Sequence, residues 1–352
     1  MNPVGKVLLA ATLFMLAACD SEAPPAQQQA AQDNAPVTAV AEPQPQPDKS
    51  VTRAVPVYPE TSVTMELQQV SDHVWFAQGE AGIATDNEGF ISNASVIIGE
   101  QGIVVVDALG TPSLAQLLVR KIRAISDKPF LKVIMTHYHA DHIYGLQVFQ
   151  EQGAEILAPV GADKYLASPN AKERLEERQF SLDPWVNERT RLVAPDRMLD
   201  QTEVMDIGGI QLTVSYLGAA HSDGDLSVYV EPDGVLISGD IIFEGRVPFV
   251  GDANTREWLE ILTRMESQQM RALIPGHGAM ASDPNKVVSL MKRYLQSLRS
   301  QMGEAVEEMT SFDQAYAAAD WSEFEDIPAF QEANRINAYQ VFLSLESELL
   351  QQ

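Results

Sequence analysis

The chain has one cysteine, Cys19, among 352 residues, and only 24 basic side chains against 49 acidic ones. A single thiol excludes any intrachain disulfide, so stability has to come from packing. A formal charge of −25 leaves no basic surface from which counterions could be released, which excludes nucleic acid as a partner. Long apolar runs are also missing. The twelve-residue run Val7 to Ala18 is too short to cross a bilayer, which takes roughly 20 residues. There is no fixed-period repeat, and histidine is scarce, six in all. Where those six fall is therefore informative.

Met1 to Ala18 carries Lys6 as its only charge and then the apolar run, which reads as a secretory signal over residues 1–18. The ending Leu16-Ala17-Ala18-Cys19 resembles a bacterial lipoprotein cleavage box. The resemblance implies a mature protein that begins at a lipidated Cys19, anchored to a bacterial membrane on the periplasmic side. Asp20 resembles the signal that retains some lipoproteins in the inner membrane. Residues 19–62 form the lipidated tether, rich in Ala, Gln and Pro in the part before about Thr52 and without an apolar period there. Residues 63–352 form the folded domain.

Within that domain the chain is organised around Thr136-His137-Tyr138-His139-Ala140-Asp141-His142. The apolar run Leu131 to Met135 before it reads as a buried strand, and Ile143 to Gln150 after it is helical in composition. The cluster thus sits where a strand hands over to a helix, outside the carboxyl end of a sheet, where layered α/β proteins place their sites. His137 and His139 share a direction only on extended or turning backbone, unlike the i, i+4 pair of a helical zinc motif. Asp141 and His142 do not easily reach the same point. Two neighbouring metal ions fit this spacing better than one.

Three more candidates each end an apolar run: His221 after Leu212 to Leu217, Asp240 after Val235 to Gly239, and His277 after Ala272 to Gly276. One histidine at a strand end is ordinary hydrogen bonding. Five of six at such ends is a pattern. Elsewhere, strands are expected over Val70 to Gln78, Ala94 to Ile98 and Ile103 to Asp107, with a helix from Pro112 to Ile125. A helical insert follows from Gly161 to about Glu188, then strands split at Gly208-Gly209 and Pro232-Asp233-Gly234. A helix capped by Thr255 runs to Gln268, with Trp258, Leu259 and Leu262 inward. Beyond Pro284 the pattern is helical, broken near Gly303 and over Ser322 to Pro328. Phe330 to Leu350 either caps the fold or mediates a dimer. His73 reads as a surface residue.

The set H-x-H-x-D-H followed by single His, Asp and His resembles the metallo-β-lactamase-fold hydrolases, in their order, over roughly Val63 to the helix after His277. The resemblance implies an α+β fold, a four-layer αβ/βα sandwich with C-terminal helices. It implies that His137, His139 and His221 hold a first metal, that Asp141, His142 and His277 hold a second, and that Asp240 bridges them. Asp107 resembles an aspartate that supports the metal loop from behind; a strand-end cap is its other reading. Imidazole and carboxylate ligands suit two Zn²⁺ and tolerate iron or manganese. Such a centre keeps net positive charge, lowers the pKa of bound water to about 7 and supplies a bridging hydroxide for hydrolysis. Asp141 and Asp240 are the expected catalytic carboxylates, and Tyr138 either leans over the site or packs.

The expected substrate is a small molecule: an ester, thioester, lactone or lactam. Cysteine-bearing β-lactamases have Cys where Asp240 stands, and the lysine that binds the substrate carboxylate in lactamases is absent after it. Arg246 reads as a replacement anion clamp or as a surface salt bridge. The acidic C-terminal region, with Asp320, Glu323, Glu325 and Asp326, argues against glyoxalase II. The stretches Ala220 to Leu226 and Pro248 to Asp252, with Trp258, most resemble periplasmic zinc hydrolases found beside quinoprotein dehydrogenases. The competing reading is a metal-binding accessory lipoprotein without turnover.

Overall fold

The structure, a computed structural model, describes residues 58–351. The signal segment, Cys19 and nearly all of the tether lie outside the described residues. The first part of the fold runs β1 (Leu67–Gln69), β2 (Val74–Ala77), β3 (Ala94–Ile98), β4 (Ile103–Val106), α1 (Pro112–Arg123), β5 (Phe130–Ile134), α2 (Ala140–Ile143), α3 (Leu146–Glu151), β6 (Glu155–Pro159), α4 (Ala162–Leu166), α5 (Pro169–Ser181) and β7 (Arg197–Leu199). The second runs β8 (Glu203–Asp206), β9 (Gln211–Gly218), β10 (Asp225–Val230), β11 (Val235–Ile237), α6 (Thr255–Met265), β12 (Ala272–Ile274), α7 (Pro284–Glu307), α8 (Phe312–Ala318) and α9 (Phe330–Leu350).

The strands form two sheets, ordered β1-β2-β3-β4-β5-β6-β7 and β12-β11-β10-β9-β8. In the first, β4 through β7 run parallel, and the unbroken apolar run of β4 reflects burial on both faces. Val104, Val106, Ile134 and Leu157 meet Leu212, Val214, Val228 and Ile237 between the sheets. On the outer face of the first sheet, Val105 and Val133 pack with Leu114 and Leu118 of α1 and Phe149 of α3. On the outer face of the second, Leu236 and Leu273 pack with Trp258 of α6, Leu295 of α7 and Val341 of α9. Helix, sheet, sheet and helix make four layers, as the sequence resemblance implies.

Local chemistry explains most boundaries. Thr111 accepts from Leu114 N and Pro112 opens α1. Gly208 and Gly209, at φ +87° and +86°, make the two-residue turn between β8 and β9, and Asp206 Oδ1 accepts from both amides.

Several expectations need correction. The Val70 to Gln78 strand is shorter: β2 begins at Val74, and Leu67–Gln69 pairs back on it as β1. Ile143 to Gln150 is not one helix, because the chain breaks at Gly145 between α2 and α3. Asn254, not Thr255, caps α6, its side chain accepting from Glu257 N. The chain is not broken at Gly303; α7 continues to Glu307, since no Cβ is needed there and packing along Leu298, Met302 and Val306 outweighs the helix cost of about 1 kcal/mol. Residues 58–62, grouped with the tether by composition, pack on the domain: Tyr58 bonds Glu151 and Gln147, and Ser62 N donates to Glu88. One aromatic and two hydroxyls are enough to dock a segment that lacks an apolar period.

Candidate metal centre

Strand ends at one edge of the sandwich carry the polar cluster. Asp107 follows β4, and Thr136 and His137 lie just beyond the end of β5. His221 lies in the turn between β9 and β10, while Asp240 and His277 follow the parallel pair β11 and β12. Bonds between layers hold the edge together: Leu226 N donates to Thr136 O at 2.8 Å, and Asn93 N to Gly276 O at 2.8 Å. Asn93 also donates through its side chain to Pro275 O and Gly278 O.

All seven sequence-predicted side chains come together here, in two groups. His137, His139, His221 and Asp240 offer one ligand atom each within 4.8 Å of one another, as do Asp141, His142 and His277. In the first group His139 Nδ1 lies 3.1 Å from His137 Nε2 and 2.9 Å from His221 Nε2, and Asp240 Oδ2 is 3.7 and 3.4 Å from those two Nε2 atoms. In the second, His277 Nε2 is 3.3 Å and His142 Nε2 3.5 Å from Asp141 Oδ2. Asp240 faces this group too, at 3.2 Å from His142 Nε2 and 3.3 Å from His277 Nε2. An ion with bonds of about 2.0–2.1 Å in a tetrahedron has ligand edges of about 3.3 Å. The spacing and chemistry of these donors fit a metal site.

Outer contacts aim the lone pairs inward. His277 Nδ1 donates to the carbonyl of Ile91 at 2.7 Å, so that in the neutral ring the lone pair is on Nε2 and turned into the site. His142 Nδ1 lies 2.9 Å from Asp107 Oδ2, with the same effect. Asp107 sits at φ +63°, strained backbone that turns its carboxylate under the loop. There it also accepts from Thr136 N and Oγ1, both at 2.8 Å. Thr136 Oγ1, donating to Asp107, takes His137 Nδ1 as its donor at 3.0 Å. A Cβ at residue 276 would stand 1.9 Å from Asp240 Oδ1, so Gly276 is required where that carboxylate turns. His221 Nδ1 has no partner among the described residues; Trp258 and Phe243 fix its ring instead, at centroid distances of 5.3 and 5.8 Å.

Electrostatics divide the centre. Burial lowers His137, His139 and His221, the last to about 3, and the neighbouring imidazole of His142 adds to the effect on each. For His142 and His277 burial also acts downward, but Asp240 and Asp141 outweigh it and raise both, His277 to about 9. Asp240 and Asp141, although buried, are held below the usual carboxylate range by those histidines. His142 Nε2 and Asp240 Oδ1 nevertheless form no well-aligned hydrogen bond. Buried donor atoms that hydrogen bonds leave incomplete, on imidazoles and carboxylates turned toward one another, are what a cation would complete.

The remaining predicted residues separate. Asp107 bonds Thr136 and His142 and so holds the loop that carries the histidines. Tyr138 is buried, stacks on Tyr165 at 4.2 Å and accepts from Asp223 N, so it packs. His73 is partly exposed and pairs with Asp233 at 2.9 Å. Arg246 makes no salt bridge among the described residues, and its Nε is buried without a partner. Cys19 lies outside the described residues. Asn93, Thr136, Gly276 and Trp258 were not singled out as supporting groups by sequence. Thr136, a hydroxyl ending an apolar strand directly before the first histidine, carried a readable signal; Asn93 did not.

The model of the metallo-beta-lactamase superfamily matches residues 87–277. An acyl-coenzyme A thioesterase from Gallus gallus is 30% identical over 229 residues, 58% of this chain and 80% of that protein. A metallo-beta-lactamase type 2 from Bacillus sp. (strain 170) is 23% identical over 220 residues, 61% and 77% of the two chains. Among solved structures, a metallo-beta-lactamase from Pontibacter korlensis superposes with a TM-score of 0.55 at 19% identity, covering 66% of this chain and 99% of that one. A stereoselective inverting sec-alkylsulfatase from Pseudomonas sp. gives 0.64 at 16% identity, covering 80% and 50%. These two similarities bear on fold alone.

Proposed function

The chain belongs to the metallo-beta-lactamase superfamily, whose thioesterase and β-lactamase members are hydrolases, and from that premise we propose that it is a binuclear zinc hydrolase acting on small acyl compounds, thioesters and esters before lactones and lactams. The observation that carries this reading is Asp240, whose two oxygens face both ligand groups at 3.2 to 3.7 Å. His137, His139, His221 and Asp240 would hold one ion, and Asp141, His142, His277 and Asp240 the other. Bound zinc lowers the pKa of coordinated water to about 7 and polarises the electrophile.

The chain's own groups do the rest. Asp141, its side chain 22% exposed, is placed to accept a hydrogen bond from the attacking water and orient it. Asp107 and Thr136 keep His142 and His137 in the ligating tautomer. Arg246, two residues beyond Glu244, whose amide binds His277 O, is the candidate clamp for an anionic substrate group. Thioesters come first because the thioesterase relative is more similar in sequence than the lactamase relatives, at 30% against 23% or less.

The test offers zinc-loaded protein a panel of chromogenic thioesters, esters, lactones and nitrocefin, with Asp141→Ala as control. Turnover abolished by that substitution supports the reading. Turnover of none with both ions bound favours the accessory-protein reading.

We also propose that the protein is a periplasmic lipoprotein of the kind found beside quinoprotein dehydrogenases, on the strength of the Leu16-Ala17-Ala18-Cys19 box and the segments around His221 and Phe249. Cys19→Ser should move it from the membrane fraction to the soluble fraction; an unchanged distribution would remove the anchor.

A further inference from the structure

The superfamily match ends at His277, yet α7, α8 and α9 follow it. One amide ties them to a loop beside the candidate metal centre. Asn337 of α9 is fully buried. Its Oδ1 accepts from Val250 N at 3.0 Å, while its Nδ2 donates to Pro248 O at 2.8 Å and to Tyr294 OH at 2.9 Å. Side-chain amide and backbone pair here as two strands would, and the residue bracketed is Phe249. A further bond, Val247 N to Pro328 O at 3.0 Å, ties the same loop to the segment before α9. Val247 and Val250 are buried, whereas Phe249 is 49% exposed. Its ring centroid lies 6.3 Å from that of His139, a candidate ligand.

A large apolar side chain is costly to leave in water, and a loop this short does not hold one beside a polar centre unless it is braced. The brace fixes both peptide groups that flank Phe249, so the ring's position is set from α9. We propose that Asn337 is a positioning residue that holds Phe249 as the surface receiving an apolar acyl group of the substrate, and that the C-terminal helices thereby select the acyl chain. The proposal rests on the hydrolase reading for its kinetic arm only.

The test uses the zinc-loaded full chain, with p-nitrophenyl acetate and p-nitrophenyl octanoate as probes and Asn337→Ala, Asn337→Asp, Phe249→Ala and Tyr316→Phe as variants. Tyr316→Phe removes a bond to Asn334 in the same helical layer without touching the loop. Asn337→Ala is expected to speed amide exchange over residues 247–253 about tenfold and to raise KM for the octanoate about tenfold. It should leave zinc content unaltered and kcat on the acetate within threefold. Phe249→Ala should reproduce the kinetic split without the faster exchange. Asn337→Asp, which keeps the acceptor for Val250 N, should recover part of the protection. Tyr316→Phe should show neither effect. Equal losses on both esters, or unchanged exchange in Asn337→Ala, would overturn the proposal. If the wild type hydrolyses neither ester, the hydrolase reading is decided separately by the thioester, lactone and nitrocefin arms of its own panel. Calorimetric binding of octanoate then decides this inference: about tenfold weaker binding in both Asn337→Ala and Phe249→Ala upholds it, and equal binding overturns it.

Discussion

At the edge of the sandwich, His142 Nε2 and Asp240 Oδ1 face each other at 3.2 Å without a proper hydrogen bond, and His221 Nδ1 has no partner among the described residues. Among the C-terminal helices the buried polar groups are complete. Tyr294 OH donates to Asn334 Oδ1 at 2.8 Å and accepts from Asn337, and Asn334 Nδ2 donates to Tyr316 OH at 3.2 Å. Both clusters are deeply buried, and both bring together side chains far apart in sequence. One needs nothing further, and the other leaves buried ring nitrogens and a carboxylate oxygen without hydrogen bonds. A satisfied buried network serves architecture, whereas an unsatisfied one that the fold still maintains is kept for something that binds.

The sharpest way to break this contrast is Asp240→Ala. It removes the carboxylate shared by both ligand groups, and should cost at least one zinc per chain and about 1000-fold in turnover, roughly 4 kcal/mol. Metal analysis and the ester panel read both. A variant retaining two ions would show that Asp240 is not shared.

Removing zinc from the wild type comes next. Ligand at about a thousand times its Kd stabilises by about 4 kcal/mol, which for a domain of this size is roughly 8 °C in Tm at about 2 °C per kcal/mol. The gap should depend on pH. His277 is raised from 6.5 to about 9, so its proton stabilises the metal-free domain fully below pH 6.5, and that contribution is lost as pH rises through about 9. The same proton competes with the cation, so affinity gains about tenfold per pH unit across that window. Scanning calorimetry of both forms from pH 6.5 to 9 should therefore show the separation widening with pH. A constant separation would mean that His277 binds no ion.

Seen from the sequence, the two clusters were unequally legible. Histidines and aspartates at strand ends, with the spacing of His137, His139, Asp141 and His142, declared the first because few other jobs require those residue types there. The four-layer fold followed from the same resemblance and from apolar runs such as Ile103 to Val106. Asn334 and Asn337 gave no such signal, since asparagine in an amphipathic helix is usually solvated, and only the packing of α9 on α7 turns them inward. The supports of the metal loop were half legible: Asp107 ends a strand visibly, whereas Asn93 acts through backbone carbonyls that no pattern reveals. The end of α6 and the continuity of α7 turned on capping and packing, where local preference is weakest.

The complete network is tested by Tyr294→Phe. The hydroxyl lost is fully buried and joins Asn334 to Asn337, so two partners are left short. The expected cost is about 2 kcal/mol in a denaturant titration, constant between pH 6.5 and 9 because burial raises the tyrosine further above its ordinary value. Zinc content should not change. A loss of metal would mean the two clusters are coupled, which the contrast denies.

Thr136→Val asks the smallest change of the incomplete cluster. The substitution keeps the shape but removes the hydroxyl that lies between Asp107 and His137 Nδ1. His137 then loses the acceptor that fixes its tautomer, while Asp107 keeps the Thr136 amide and His142. Supports of this kind are worth about tenfold to a hundredfold in metal affinity. The lower figure is expected here, because one of several contacts goes and the others remain. Competition with a chromogenic chelator measures it. An unaltered affinity would show that the ring of His137 is held by its burial against His142 and His221 rather than by its hydrogen bond.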